Sequence, residues 1–66
     1  MPGVTIGKRL RDLRGNIPRA EAAKAIGVSV SALTMYENGQ RIPRDQIKVK
    51  IAEYYHSTVG EIFFAS

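Results

Sequence analysis

The stretch from Arg19 to Asn38, RAEAAKAIGVSVSALTMYEN, constrains this chain more than any other, and Gly27 is its pivot. Before it, Ala22, Ala23 and Ile26 fall at i, i+1 and i+4, one face of a helix. After it, Leu33 and Tyr36 repeat at a spacing of three, and Ser29 stands where its hydroxyl can cap a second helix. Glycine takes a positive φ without steric cost, so Gly27 can end the first helix and turn the chain sharply. Ala23, four residues earlier, is small enough to let two helices cross closely, with Val28 buried between them. The stretch is therefore read as a short helix, a tight turn and a second short helix.

The rest of the chain supplies the frame. Thr5 can cap a first helix in which Ile6, Leu10 and Leu13 mark one face at i, i+4 and i+7. Lys8, Arg9, Arg11 and Arg14 occupy its other faces, and Gly15-Asn16 ends it. Pro18 suits the first turn of the second helix, where a missing N–H is no loss, and Glu21 favours the positive end of the dipole. The third helix is predicted from about Val30 to Asn38, stopped by Gly39, with Gln40 to Pro43 as a loop. A fourth runs from about Arg44 to Tyr55 with Ile47, Ile51, Tyr54 and Tyr55 as its apolar stripe. Thr58-Val59-Gly60-Glu61 reads as a capping box that opens a final short turn carrying Ile62 and Phe63. The expectation is a single all-α domain over residues 1–66, with five helices and no strands.

Composition narrows the function. A chain of 66 residues buries only about 60% of its unfolded surface, which leaves one small core. The absence of cysteine excludes a disulfide framework or a thiolate metal site and fits a cytoplasmic protein. No apolar run is long enough for a membrane span, and Met1-Pro2-Gly3 lacks the apolar core of a signal peptide. His56 is the single histidine, Glu37 and Glu53 have no serine or histidine beside them, and the glycines form no phosphate-cradling motif. No catalysis, cofactor or small-molecule site is expected. Ten basic residues against six acidic give +4. The resulting pI near 9.9 meets the footprint of a nucleic-acid binder, although a solvated basic surface gives the same count.

A short helix, a glycine turn and a second helix make a helix-turn-helix, and equally an αα-hairpin that only packs. Small Ala23, Gly27, and apolar Ile26, Val28, Leu33 and Tyr36 resemble the helix-turn-helix of phage-repressor-like (Cro/repressor, Xre-type) transcription regulators. Met35-Tyr36-Glu37-Asn38-Gly39, followed by Arg41 and Pro43, is similar to that family's aromatic-or-aliphatic-Glu-Asn-Gly signature and its proline. The likeness covers about residues 5 to 64. Two departures stand out. Pro18 replaces the family's usual hydroxyl residue, and the connection before it is shorter than in the best-known repressors.

The resemblance implies a repressor-like DNA-binding domain that places its third helix in the major groove. The residues at the matching positions are Val30, Ser31, Thr34 and Met35. Ser31 and Thr34 can exchange hydrogen bonds with several base edges, while Val30, Met35 and the Thr34 methyl can touch a thymine methyl. The better-known repressors often carry Gln or Arg here, so direct readout is expected to be modest. Phosphate contacts are expected from Arg19, where the family often has glutamine, from Ser29 with the neighbouring backbone N–H groups, and from Asn38 and Arg41. Exposed loop arginines with no such role fit Arg41 and Arg44 as well. Glu37 pairs, in the family, with an arginine of the first helix; Arg14 is the first candidate here and Arg11 the second.

The implied protein is a transcription regulator of repressor type, cytoplasmic and nucleoid-associated, binding a palindromic operator on double-stranded DNA. The helix-one and Tyr-Glu-Asn-Gly variants resemble regulators of prophages and mobile elements. A homodimer is expected, with Ile62, Phe63 and above all Phe64 at the seam, because paired half-sites match a two-fold protein. No sensor domain fits in this length, so regulation is expected from occupancy, turnover or a regulatory protein partner. Two rivals remain open. One is an antitoxin- or antirepressor-like module whose third helix meets protein, and the other is a nonspecific nucleoid-type DNA binder.

Overall fold

The computed structural model describes residues 2–64, with side chains from Thr5 onward. Four α-helices, α1 (Pro2–Arg14), α2 (Arg19–Ile26), α3 (Val30–Glu37) and α4 (Asp45–Tyr54), lead to a closing π-helical turn, Gly60–Phe64. The fold is all-α, with no strand among the described residues. Helix α3 packs against α1 and α2, α4 against α2, and the closing turn against α1. The core gathers Ile6 and Leu10 from α1, Ala22, Ala23 and Ile26 from α2, and Leu33 and Tyr36 from α3. Ile51 and Ala52 from α4, with Ile62 and Phe63 from the closing turn, complete it.

Each α-helix stops because the next residues leave the right-handed region. Gly15, Gly27 and Gly39 do so at φ of 53°, 93° and 74°. A Cβ added to Gly27 would meet nothing within 4 Å, so that turn requires the glycine for its φ and not for space. Gly27 N–H and Val28 N–H both donate to the Ala23 carbonyl, at 2.8 and 3.0 Å, which closes the last turn of α2. Helix α4 ends the same way without a glycine: His56 takes φ of 56°. Its N–H donates to the Glu53 carbonyl at 3.2 Å and Ser57 N–H to the Ala52 carbonyl at 2.9 Å, a Schellman closure.

Four sequence expectations are corrected. Helix α1 starts at Pro2, so Thr5 lies inside it and is not its cap. Leu13 is 38% exposed and lies outside the core. It lines an open cleft of about 270 Å³ with Arg9, Asp12, Ser57, Glu61 and Ile62. Pro18 is the residue before α2 and gives it no side-chain cap; its carbonyl accepts from Ala22 N–H at 3.1 Å. The capping box is half formed. Glu61 N–H donates to Thr58 Oγ1 at 3.0 Å, while the Glu61 carboxylate accepts from Ser57 Oγ at 3.2 Å.

Gly7 was not singled out by the pattern, yet it sets how closely α1 and α3 approach. It is buried, and a Cβ there would collide with the Glu37 carbonyl oxygen and lie 2.8 Å from its carbon. A glycine inside a helix costs about 0.5–1 kcal/mol relative to alanine. Here the backbone-to-backbone approach it permits brings Arg11 and Arg14 within reach of Glu37.

Candidate nucleic-acid interface

The site is built outward from Glu37, the last residue of α3. Its side chain is 0% exposed and carries a charge that burial would penalise heavily without partners. Arg14 of α1 meets it with two donors, Nε to Oε2 at 2.7 Å and Nη2 to Oε1 at 3.1 Å. Arg19 of α2 donates Nε to Oε1 at 3.1 Å. Arg11 donates Nη1 to the Glu37 backbone carbonyl at 2.9 Å. One carboxylate thus ties three helices together. The hydrogen bond to Glu37 raises the Arg14 guanidinium above its ordinary range, against the opposing pull of burial, and the Glu37 charge adds to the rise. Arg14 also donates Nη1 to the Ile17 carbonyl at 2.9 Å, which ties the short connection before Pro18 to the same cluster.

With its C-terminal end fixed, α3 divides into two faces. Leu33, Tyr36 and Glu37 point inward and are buried. Val30 is 46% exposed and Met35 37%; Ser31 is exposed and Thr34 half-buried beside them. The Thr34 hydroxyl donates to the Val30 carbonyl at 2.9 Å. At the start of the helix Ser29 is the N-cap, its Oγ accepting from Ala32 N–H at 3.0 Å.

The residues expected at phosphates are placed differently from one another. Ser29 and Asn38 stand exposed at the two ends of α3, and Arg41 is exposed on the loop that follows. Arg41 lines a cleft of about 370 Å³ with Tyr36, Ile42, Arg44 and Ile47, so two guanidinium groups flank the exit of α3. Arg19 is partly withdrawn: its side chain is 41% exposed, and its Nε already serves Glu37. Sequence reading assigned Arg19 to phosphate alone and missed its part in the clamp. The available signal was an arginine opening α2, eight residues before Gly27, together with an acidic residue at the end of α3.

The residues expected at the seam also separate. Ile62 and Phe63 are 1% and 7% exposed, taken up by the core of the same chain. Phe64 is 70% exposed, with the Lys48 ammonium 5.0 Å from its ring centroid. Among the described residues no group of His, Cys, Asp and Glu could hold a metal ion, and no helix is long and apolar enough to cross a membrane.

This is a helix-turn-helix of the repressor-like all-α fold, with α2 and α3 as its two helices. Residues 8–62 match the model of the helix-turn-helix family, and the chain belongs to that family. It is a DNA-binding transcription regulator by class, and not an enzyme. Among solved structures, it resembles the P22 c2 repressor in complex with a synthetic operator, with a TM-score of 0.88 at 21% identity, covering 92% of this chain and 96% of that one. It resembles the restriction-modification controller protein C.AhdI of Aeromonas hydrophila, with a TM-score of 0.82 at 29% identity, covering 91% of this chain and 94% of that one. It also resembles the clp gene regulator ClgR of Corynebacterium glutamicum, with a TM-score of 0.84 at 20% identity, covering 94% of this chain and 68% of that one. No curated protein matches the chain at a significant level.

Proposed function

We propose that the chain is a sequence-specific regulator of repressor type that places α3 in the major groove of a palindromic operator. The observation that carries this reading is the two-faced α3, buried through Leu33, Tyr36 and Glu37 and open through Val30, Ser31, Thr34 and Met35. A helix with its side chains is about 10–12 Å across, which suits the roughly 12 Å width of the major groove. Base edges fall to the open face, and phosphates to Ser29, Asn38 and Arg41, with Arg19 contributing what its bond to Glu37 leaves. Arg44 joins Arg41 on the same rim. The net charge of +4 supports attraction to the duplex. Such a regulator works where the DNA is, in the cytoplasm at the nucleoid.

Residues 1–66 act as one domain in this reading, and two copies bind paired half-sites. Exposed Phe64 is the residue left for the seam once Ile62 and Phe63 are in the core. The protein-binding alternative draws on the exposure of Val30 and Met35, apolar side chains that would also suit a protein surface.

One experiment separates these readings. A duplex selected from a random pool and its scrambled counterpart are titrated at two salt concentrations. A sequence-specific regulator prefers the selected duplex by at least about a thousandfold. A nonspecific binder shows no preference, and a protein-binding module binds neither duplex. Arg41→Ala is expected to weaken both duplexes alike and to lower the salt slope by about 0.9 per lost contact.

A further inference from the structure

The open face of α3 carries little that can form a directional hydrogen bond. Val30 and Met35 are apolar at 46% and 37% exposure. Thr34 has its only hydroxyl proton engaged by the Val30 carbonyl at 2.9 Å, so toward a ligand it presents a methyl group and an acceptor. Ser31 alone brings an exposed hydroxyl. No Arg, Lys, Asn or Gln occurs within Val30–Glu37, so the bidentate pairs that usually identify guanine and adenine cannot come from this helix. In the major groove the one apolar group that distinguishes a base is the methyl on C5 of thymine. A cytosine methylated at C5 places the same methyl at the same position.

We propose that α3 reads the pattern of pyrimidine C5-methyl groups, with Val30 and Met35 as its specificity-determining residues, and that the protein therefore responds to C5 methylation of cytosine in its site. The inference rests on the DNA-binding reading above. Two consequences follow from the chemistry. Removing a contacted methyl costs affinity without touching any phosphate contact, so the salt slope stays as it was. Restoring the methyl on a different pyrimidine recovers part of what a base change loses.

The test uses the selected operator in three forms. In one, each half-site thymine in turn is replaced by deoxyuridine, which removes only the methyl. In another, a T·A pair is replaced by C·G, and in the third by 5-methylcytosine·G. A contacted methyl is worth about fourfold in affinity, taking a buried CH₂-sized group and a factor of ten per 1.4 kcal/mol. The expected result is a loss of about that size at one or more thymines, partial recovery with 5-methylcytosine, and an unchanged salt slope. The deoxyuridine penalty should vanish in Val30→Ala or Met35→Ala, which separates contact from any change in duplex shape. Deoxyuridine and thymine operators bound equally well, with the scrambled duplex still far weaker, would overturn this inference and leave the DNA-binding reading standing. A selected site without half-site thymines would do the same. Failure to select any preferred duplex would overturn both.

Discussion

Helices α1 to α3 and the segment from α4 onward solve the same problems by different means. In the first region every helix stop falls on a glycine, Gly15, Gly27 or Gly39, and the buried carboxylate of Glu37 has three arginine donors on its two oxygens. In the second the stop falls on His56, an L-residue at φ of 56°, and the Tyr55 hydroxyl is buried with no hydrogen-bond partner. The first region obeys the local rules at each exposed turn and each buried charge. The second departs from them twice within two residues. A rigid frame is what a reading helix needs, because base contacts lose most of their value when the helix can tilt. The departures fall at the end of α4, in residues assigned no part in the interface, although the Tyr55 phenol feels the charges of Glu37 and Arg14.

The largest expected effect breaks the first region at its centre. Replacing Glu37 by alanine strands Arg14, whose side chain is only 16% exposed, and releases Arg19, while the Arg11 bond to the backbone carbonyl at position 37 remains. Removing one partner of such a buried pair costs about 3–5 kcal/mol, to be read from urea unfolding. A loss below half a kilocalorie would mean that the clamp does not hold the three helices together.

The next effect tests the close approach on which that clamp depends. In an ordinary exposed helix, Gly→Ala stabilises by about 1 kcal/mol. At Gly7 the added methyl meets the backbone carbonyl of Glu37, which cannot swing aside as a side-chain tip would. Overpacking of this kind costs about 1–3 kcal/mol, so Gly7→Ala should destabilise where propensity alone says the reverse. A stabilised Gly7→Ala would show that α1 and α3 stand further apart.

These two sites show how legible the chain was. Ala22, Ala23, Ile26, Leu33 and Tyr36 declared themselves by spacing, and Gly27 by its place between two periodic runs. The buried pairing of Glu37 with a helix-one arginine came from the family likeness, since spacing alone says only that an acidic residue ends α3. Gly7 was overlooked because a single glycine within an amphipathic run looks like a weak point. Its place on the buried side, next to Ile6 and three residues before Leu10, was the available signal. His56 carries no such signal, since nothing in Tyr54-Tyr55-His56-Ser57 resembles a helix stop. Leu13 followed the helical period, but period cannot tell how far along α1 the core extends.

His56→Gly sharpens the comparison by giving the second region the residue the first region uses. The left-handed conformation costs an L-residue about 1–2 kcal/mol, and glycine returns some of that in unfolded-chain entropy. A net gain of about 0.5–1 kcal/mol is expected, with α4 and its Schellman bonds unchanged. A loss on thermal or urea unfolding would mean that the imidazole itself holds the turn.

The smallest effect concerns Tyr55. Its hydroxyl lacks a partner, so Tyr55→Phe removes a buried polar atom without breaking a bond, and at neutral pH stability should change by no more than about 0.5 kcal/mol, toward gain. The distinctive signature lies at alkaline pH. Burial first, and then the charge of Glu37, push the Tyr55 phenol up to about 12, with Arg14 acting in the opposite sense. In the unfolded chain a phenol ionises near 10. The folded state therefore holds this proton more tightly, and the associated stability is fully present below pH 10. It is lost as the pH rises from about 10 through 12, because only the unfolded chain ionises freely there. The difference in unfolding free energy between Tyr55→Phe and the parent should be flat from pH 7 to about 10 and then grow in favour of the phenylalanine variant. Curves that stay parallel up to pH 12 would show that the Tyr55 hydroxyl reaches water, and the contrast between the two regions would then rest on His56 alone.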